Sequence, residues 1–115
     1  ALVAKLNAAS RDVYEALQGG LPKDLEKTYR EGVTQVYTHR LFQGRGRKLM
    51  DQVRAAYRDE RLVRQRVDGF IRLFERLLDT IAATDAGEEL VDQCLASETG
   101  KVYLMLAEAA GRVKH

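Results

Sequence analysis

A regular apolar seam runs through the middle of this sequence. Its members recur at alternating intervals of four and three residues, the heptad spacing that places apolar side chains on one face of an α-helix. No proline interrupts the seam, and one charged residue, Glu60, occupies a seam position. The pattern predicts one long helix over about residues 47–83, whose apolar face is our candidate interaction seam. The candidate seam residues are Leu49, Val53, Val63, Val67, Phe70, Phe74, Leu77 and Ile81.

The length of this predicted helix conflicts with a compact shape. An uninterrupted helix over that range would extend about 55 Å. A compact chain of 115 residues is expected to have a radius of gyration of only about 13 Å. Either the helix is continuous in an elongated or dimeric fold, or it breaks near residues 58–60, where Glu60 lies on the seam. We favour the continuous helix.

Similar apolar spacing predicts three further helices. The first covers about residues 2–18, the second about 21–43, and the last about 86–112. Gly32 falls on the apolar face of the second helix, which predicts a close backbone approach by a neighbouring helix. Residues 97–100 are a candidate break within the last helix. We therefore predict an all-α, antiparallel bundle of about four helices, or five to six if both candidate breaks are present.

Composition supports a single helical domain spanning residues 1–115. The chain is 45% hydrophobic and 31% charged, a mixture that favours folding over disorder. Its one cysteine excludes an internal disulfide and fits a reducing compartment, so we expect a cytoplasmic location. No apolar run approaches the roughly 20 residues needed to span a bilayer, so we expect no membrane partner.

Motifs for catalysis or metal binding are missing from the sequence. Cys94 lies in an apolar stretch, which favours core packing over reactivity, and His39 is explained by a contact with a helix C-terminus. Glu60 and Glu98 lie on apolar faces without a Glu-x-x-His partner, so each is interpreted as a helix break, a partly exposed position or a salt bridge with an arginine. We expect no enzymatic activity, no metal and no cofactor.

Charge is distributed unevenly along the chain. Residues 40–66 contain nine Lys or Arg against three acids, whereas residues 79–98 contain six acids and no base. A basic stripe of this kind is an ordinary solvated helix face, a phosphate-contacting surface or a site for an acidic protein. Pairing of the basic block of one copy with the acidic block of another would also fix the orientation of the copies in a homo-oligomer. The candidate anion or nucleic-acid contacts are Arg45, Arg47, Lys48, Arg54, Arg58 and Arg61.

The seam and the opposed charge blocks together predict a function in assembly. We expect a noncatalytic helical module that interacts with a protein partner or with itself as a homodimer. The alternative is a nucleic-acid-associated protein that uses its basic helical stripe for phosphate contacts. Binding by such a protein should weaken steeply as salt rises.

Overall fold

The computed structural model describes residues 2–112, and helices make up most of that range. The all-α prediction is confirmed, and residues 2–112 contain no strand. The prediction of about four helices is wrong, because the described residues form seven. They are α1 (Leu2–Gln18), α2 (Lys23–Arg30), α3 (Val36–Gly44), α4 (Arg47–Asp59), α5 (Arg61–Ala82), α6 (Gly87–Ala96) and α7 (Glu98–Ala109).

The predicted long helix is interrupted at Glu60, so the favoured continuous helix is wrong. Glu60 has an extended backbone, with φ −120° and ψ 113°, and its side chain is exposed. Arg64 stabilises the break by donating hydrogen bonds to the carbonyl oxygens of Tyr57 (3.0 Å) and Arg58 (2.9 Å). In a continuous helix the seam position would direct the Glu60 carboxylate into the apolar core, where an unpaired charge is costly. The turn keeps this carboxylate in water.

The predicted second helix is divided into α2 and α3. Gly32 has a φ of +107°, a left-handed conformation that side-chain-bearing residues rarely adopt, and it follows the end of α2. The predicted close approach at Gly32 is wrong, because a Cβ built there would meet nothing within 4 Å. The last predicted helix is also divided, at the candidate break. Ser97 caps α7 by accepting a hydrogen bond from the Gly100 amide at 3.1 Å.

The helix α5 lies at the centre of the packing and contacts α1, α4, α6 and α7. Its side chains Val63, Val67, Phe70 and Phe74 are almost fully buried. The Phe74 ring stacks on Tyr103 of α7, with 4.5 Å between ring centroids. The radius of gyration is 13.9 Å and the principal extents are 42, 36 and 22 Å. These dimensions match a compact chain of this length, so the elongated alternative is wrong.

Polar contacts hold α1 against α2 and α3. In the buried contact between α1 and α3, the Thr38 hydroxyl lies 2.7 Å from the Ser10 hydroxyl. In a partly buried cluster, Arg11 donates two hydrogen bonds to Glu26, at 2.6 and 3.0 Å, and the Tyr37 hydroxyl donates a third at 2.9 Å. The bonds from Arg11 lower the pKa of Glu26 to about 2. These contacts fix the position of α1, which forms one wall of the site described below.

None of the helices in residues 2–112 is both long enough and apolar enough to cross a membrane.

Candidate interaction surface

The candidate interaction seam lies inside the folded chain. Five of its members are buried and three are partly buried, and none is exposed. The buried members are Val53, Val63, Val67, Phe70 and Phe74, and the partly buried members are Leu49, Leu77 and Ile81. The seam therefore packs α4 and α5 against the other helices of the same chain. The seam is therefore not exposed to a partner.

The six candidate anion contacts are all exposed, but they do not form one free basic surface. Three of them are already engaged. Arg45 donates to the Phe42 carbonyl at 2.9 Å and lies 3.9 Å from the centroid of the Phe42 ring. Arg54 pairs with Asp51, and Arg58 pairs with Asp59. The side chains that form no ion pair or hydrogen bond with other described residues are Arg47, Lys48 and Arg61.

A groove lies between α1 and α5, which run antiparallel. Val3 of α1 shares a surface depression with Ile81 of α5, whereas Ala16 shares one with Leu62, so the helices run in opposite directions. The groove encloses about 560 Å³. The less exposed residues that line its floor are Ala8, Ala9, Gly69, Phe70 and Leu73, and the exposed cations at its rim are Lys5, Arg66, Arg72 and Arg76. We call this feature the basic groove.

The cations of the basic groove are not neutralised by the fold. None of the four side chains forms an ion pair or hydrogen bond with another described residue. Some other arginines are paired within the fold, as Arg11 is with Glu26. One carboxylate, that of Asp12, and one amide, that of Gln65, also line the groove. Four cations against one carboxylate leave the groove with a positive potential that attracts acidic groups.

The floor of the basic groove contains an unexplained glycine. Gly69 lies in the interior of α5, where glycine costs about 1 kcal/mol relative to alanine. Its φ is not positive, and a Cβ built there would meet nothing within 4 Å. The packing of the chain therefore does not require glycine at this position. The missing side chain leaves the floor open between the two helices.

Acidic residues gather on a second surface. Of the six acids in residues 79–98, Glu98 has a carboxylate oxygen 2.8 Å from Nδ1 of His39, within hydrogen-bond distance, and this contact ties α7 to α3. The other five are exposed and form no ion pair or hydrogen bond with other described residues. Four of them belong to α6 and the turn before it. We call this group, consisting of Asp85, Glu88, Glu89 and Asp92, the acidic surface.

An apolar groove separates the acidic surface from the N-terminal turns of α1. It encloses about 410 Å³ between α1, α5, α6 and the start of α7, and its apolar lining includes Val3, Leu77, Ile81 and Leu90, with a few polar side chains such as Thr99 beside them. Val3 is 62% exposed and Leu90 is 39% exposed. Cys94 also lines this groove while packing against the core, and its burial raises the pKa of the thiol. A raised pKa disfavours the reactive thiolate.

The predicted positions explain only part of this surface. Sequence reasoning did not single out Lys5, Arg66, Gly69 or Arg76 as site residues. A signal was present on α5, where Arg66, Gly69, Arg72 and Arg76 follow one another at intervals of three or four residues off the seam. Lys5 offered no such signal, because its place in the groove depends on how α1 packs. Among the described residues, no group of three His, Cys, Asp or Glu side chains could hold a metal ion.

No family model, curated protein or solved structure matches this chain.

Proposed function

We propose that this chain is a noncatalytic protein–protein interaction module that binds an acidic segment of a protein partner in the basic groove. One observation carries the proposal, namely the four unpaired cations around an apolar floor that Gly69 leaves open. That the module is noncatalytic is the prediction made from the sequence.

Charge and apolar area contribute differently to this binding. Arginines pair well with carboxylates because the planar guanidinium presents two parallel N–H donors. A single exposed pair contributes only about 0–1 kcal/mol, so several pairs have to act together. The floor residues Ala8, Ala9 and Leu73 add apolar surface, and their small neighbour Gly69 lets the backbone of a docked helix approach closely. An acidic helix with one apolar face fits both requirements.

One observation favours nucleic acid as a second candidate. Arg47, Lys48 and Arg61 are exposed and form no pair with other described residues, so they are free to contact phosphates. Arg54 and Arg58, which we predicted for the same role, already pair with Asp51 and Asp59. Each would have to exchange a carboxylate for a phosphate. This pairing weakens the second candidate relative to the basic groove.

Two probes and two matched variants distinguish these functions. The probes are a fluorescent helical peptide of about 14 residues, with glutamates on one face and leucines on the other, and a short DNA duplex. The groove variant is Arg72→Glu/Arg76→Glu, and the control variant is Arg47→Glu/Lys48→Glu. Each variant reverses two exposed cations, so the two have the same net charge.

We expect the peptide to bind the wild-type chain and to bind the groove variant at least tenfold more weakly, about 1.4 kcal/mol. The control variant should bind the peptide within about twofold of wild type, since both have an intact groove. An equal loss of peptide affinity in the two variants would show that the effect comes from net charge, and it would refute binding in the basic groove. Tight duplex binding that only the control variant loses would establish the second candidate instead.

An uncharged change tests the floor separately from the rim. Gly69→Leu leaves every charge in place and fills the space above α5 with a side chain. We expect the peptide to bind this variant at least tenfold more weakly, while the unfolding transition is retained. Unchanged peptide affinity in Gly69→Leu would mean that the ligand does not enter the groove.

A further inference from the structure

We infer that the partner of the basic groove is a second copy of this chain, whose acidic surface docks against it around a two-fold axis. This inference rests on the proposed function, because it names the acidic partner which that function requires. It adds a specific occupant, a symmetry and a second set of residues, those of α6.

The charges of the two surfaces match. The basic groove has four cations and the acidic surface has four carboxylates, and neither set is paired with other described residues. Elsewhere some acids and bases pair within the chain, as in the contacts of Glu26 with Arg11 and Arg30 and of Asp68 with Arg112. Surfaces of opposite sign that stay unpaired within one chain are complementary between two chains.

The order of the features across the surface suits a two-fold axis. Lys5, at the start of α1, lines the basic groove, and Val3, two residues earlier, lines the apolar groove on the other side of that helix. Leu90 lines the far side of the apolar groove, between Glu89 and Asp92 of α6. The apolar groove therefore lies between a positive and a negative surface. An axis through it brings each basic groove opposite the partner's acidic surface.

Such a contact has the usual anatomy of a protein interface. The exposed side chains Val3 and Leu90 would be covered at the centre, together with Ile81. Charged pairs would surround this apolar centre on both sides. The apolar centre supplies buried area that exposed ion pairs alone do not provide, and the charges fix the orientation of the two copies.

Charge reversal in two separate chains tests this arrangement. The groove variant is again Arg72→Glu/Arg76→Glu, and the acidic-surface variant is Glu89→Lys/Asp92→Lys. All four residues are exposed and lie outside the core. Sedimentation of each chain alone and of an equimolar mixture gives the oligomeric state. Arg47→Glu/Lys48→Glu is the control, because it changes net charge as much as the groove variant does but lies on α4.

We expect wild type and the control variant to dimerise, and dimerisation to weaken as salt rises. Each reversed variant alone should be at least tenfold weaker in self-association, because both of its contacts lose their excess of opposite charge and gain like-charged neighbours at the reversed positions. Mixing the two reversed variants should restore a dimer with one copy of each, since every contact again joins opposite charges. This rescue excludes misfolding as the cause of the loss, because an unfolded variant would not recover on mixing.

The outcomes separate this inference from the proposed function. A wild-type chain that stays monomeric but binds the acidic peptide in its groove refutes the second copy and leaves the proposed function standing. A dimer that both reversed variants retain refutes docking of the acidic surface against the basic groove, and so does a mixture that stays monomeric. The peptide titration is therefore run at a chain concentration at which the wild type is monomeric, so that a partner copy does not occupy the groove.

Discussion

Replacing Gly100 by alanine should destabilise the chain, whereas the same change at Gly69 should stabilise it. Gly100 is buried in the first turn of α7, directly beneath the end of α6. A Cβ at this position would lie 2.6 Å from the Leu95 carbonyl oxygen and 2.7 Å from its carbon, and it would also overlap the Cys94 carbonyl oxygen. These are backbone atoms, so the overlap is relieved only if α6 and α7 move apart.

The magnitude follows from two opposing effects. Overpacking of this kind costs about 1–3 kcal/mol, and three overlapping backbone atoms favour the upper end of the range. The higher helix propensity of alanine offsets about 1 kcal/mol of this overpacking cost. Gly100→Ala should therefore lower the free energy of unfolding by about 2 kcal/mol. Gly69→Ala meets no neighbour within 4 Å and should raise that free energy by up to about 1 kcal/mol.

Urea unfolding followed by far-ultraviolet circular dichroism measures both changes. Wild type and the two variants should share the same dependence of free energy on urea and differ in midpoint. In heating experiments the two variants should be separated by about 12 °C, taking about 4 °C for each kcal/mol. A Gly100→Ala variant at least as stable as wild type would contradict the close contact between α6 and α7. A destabilised Gly69→Ala variant would contradict the open floor of the basic groove.

Three further properties are open to measurement. Phe74→Ala should lower the free energy of unfolding by about 3–5 kcal/mol in urea titrations, because the ring is fully buried; a loss below about 1 kcal/mol would contradict its place in the core. Glu26 has a pKa lowered from 4.5 to about 2, mainly by its bonds from Arg11, so its contribution to stability should be complete above pH 4.5 and should fall as the pH decreases towards 2. Glu26→Gln should make stability less dependent on pH across that window, and an unchanged dependence would argue against the pairing. Cys94 should react with a thiol reagent more slowly in the native chain than in urea, because its burial raises the thiol pKa; equal rates would show an accessible thiol.

Signals within a single helix were sufficient to predict the ends of α1 and the buried side of α5. The first helix was predicted over residues 2–18, and α1 covers that range. Gly19 follows it with a φ of +73°, so the residue that ends the helix is also the one that the turn requires. The apolar spacing of α5 likewise identified its core side, since Val67 and Phe70 are buried.

Predictions failed where a residue type has more than one physical role. Gly32, Gly69 and Gly100 look alike in the sequence, yet the first provides a left-handed backbone, the second opens a surface, and the third permits contact with a neighbouring helix. Gly32 was assigned the role that belongs to Gly100. The difference depends on which elements meet, and apolar periodicity within one helix does not contain that information.

Glu60 shows how a single charge competes with a long periodic pattern. The seam continues on both sides of this residue, so periodicity alone favours one helix. Folding that helix would bury an unpaired carboxylate, whereas a turn costs a few backbone hydrogen bonds, two of which Arg64 replaces. The turn also lets α4 and α5 share one core instead of extending away from it. The alternative break was visible in the sequence, but its lower cost depends on the Arg64 contacts, which periodicity does not reveal.

Burial of the seam determines whether apolar area or charge would dominate the assembly of this chain with a partner. An exposed seam would bind a partner mainly through apolar area, with little dependence on salt. The helices α1 and α7 cover that seam, in agreement with the burial of Val67 and Phe74. The surface that remains for a partner consists mostly of charged side chains, with a few small apolar patches. Exposed charges contribute little singly and are screened by salt. Assembly through the basic groove should therefore be reversible and should respond strongly to ionic strength.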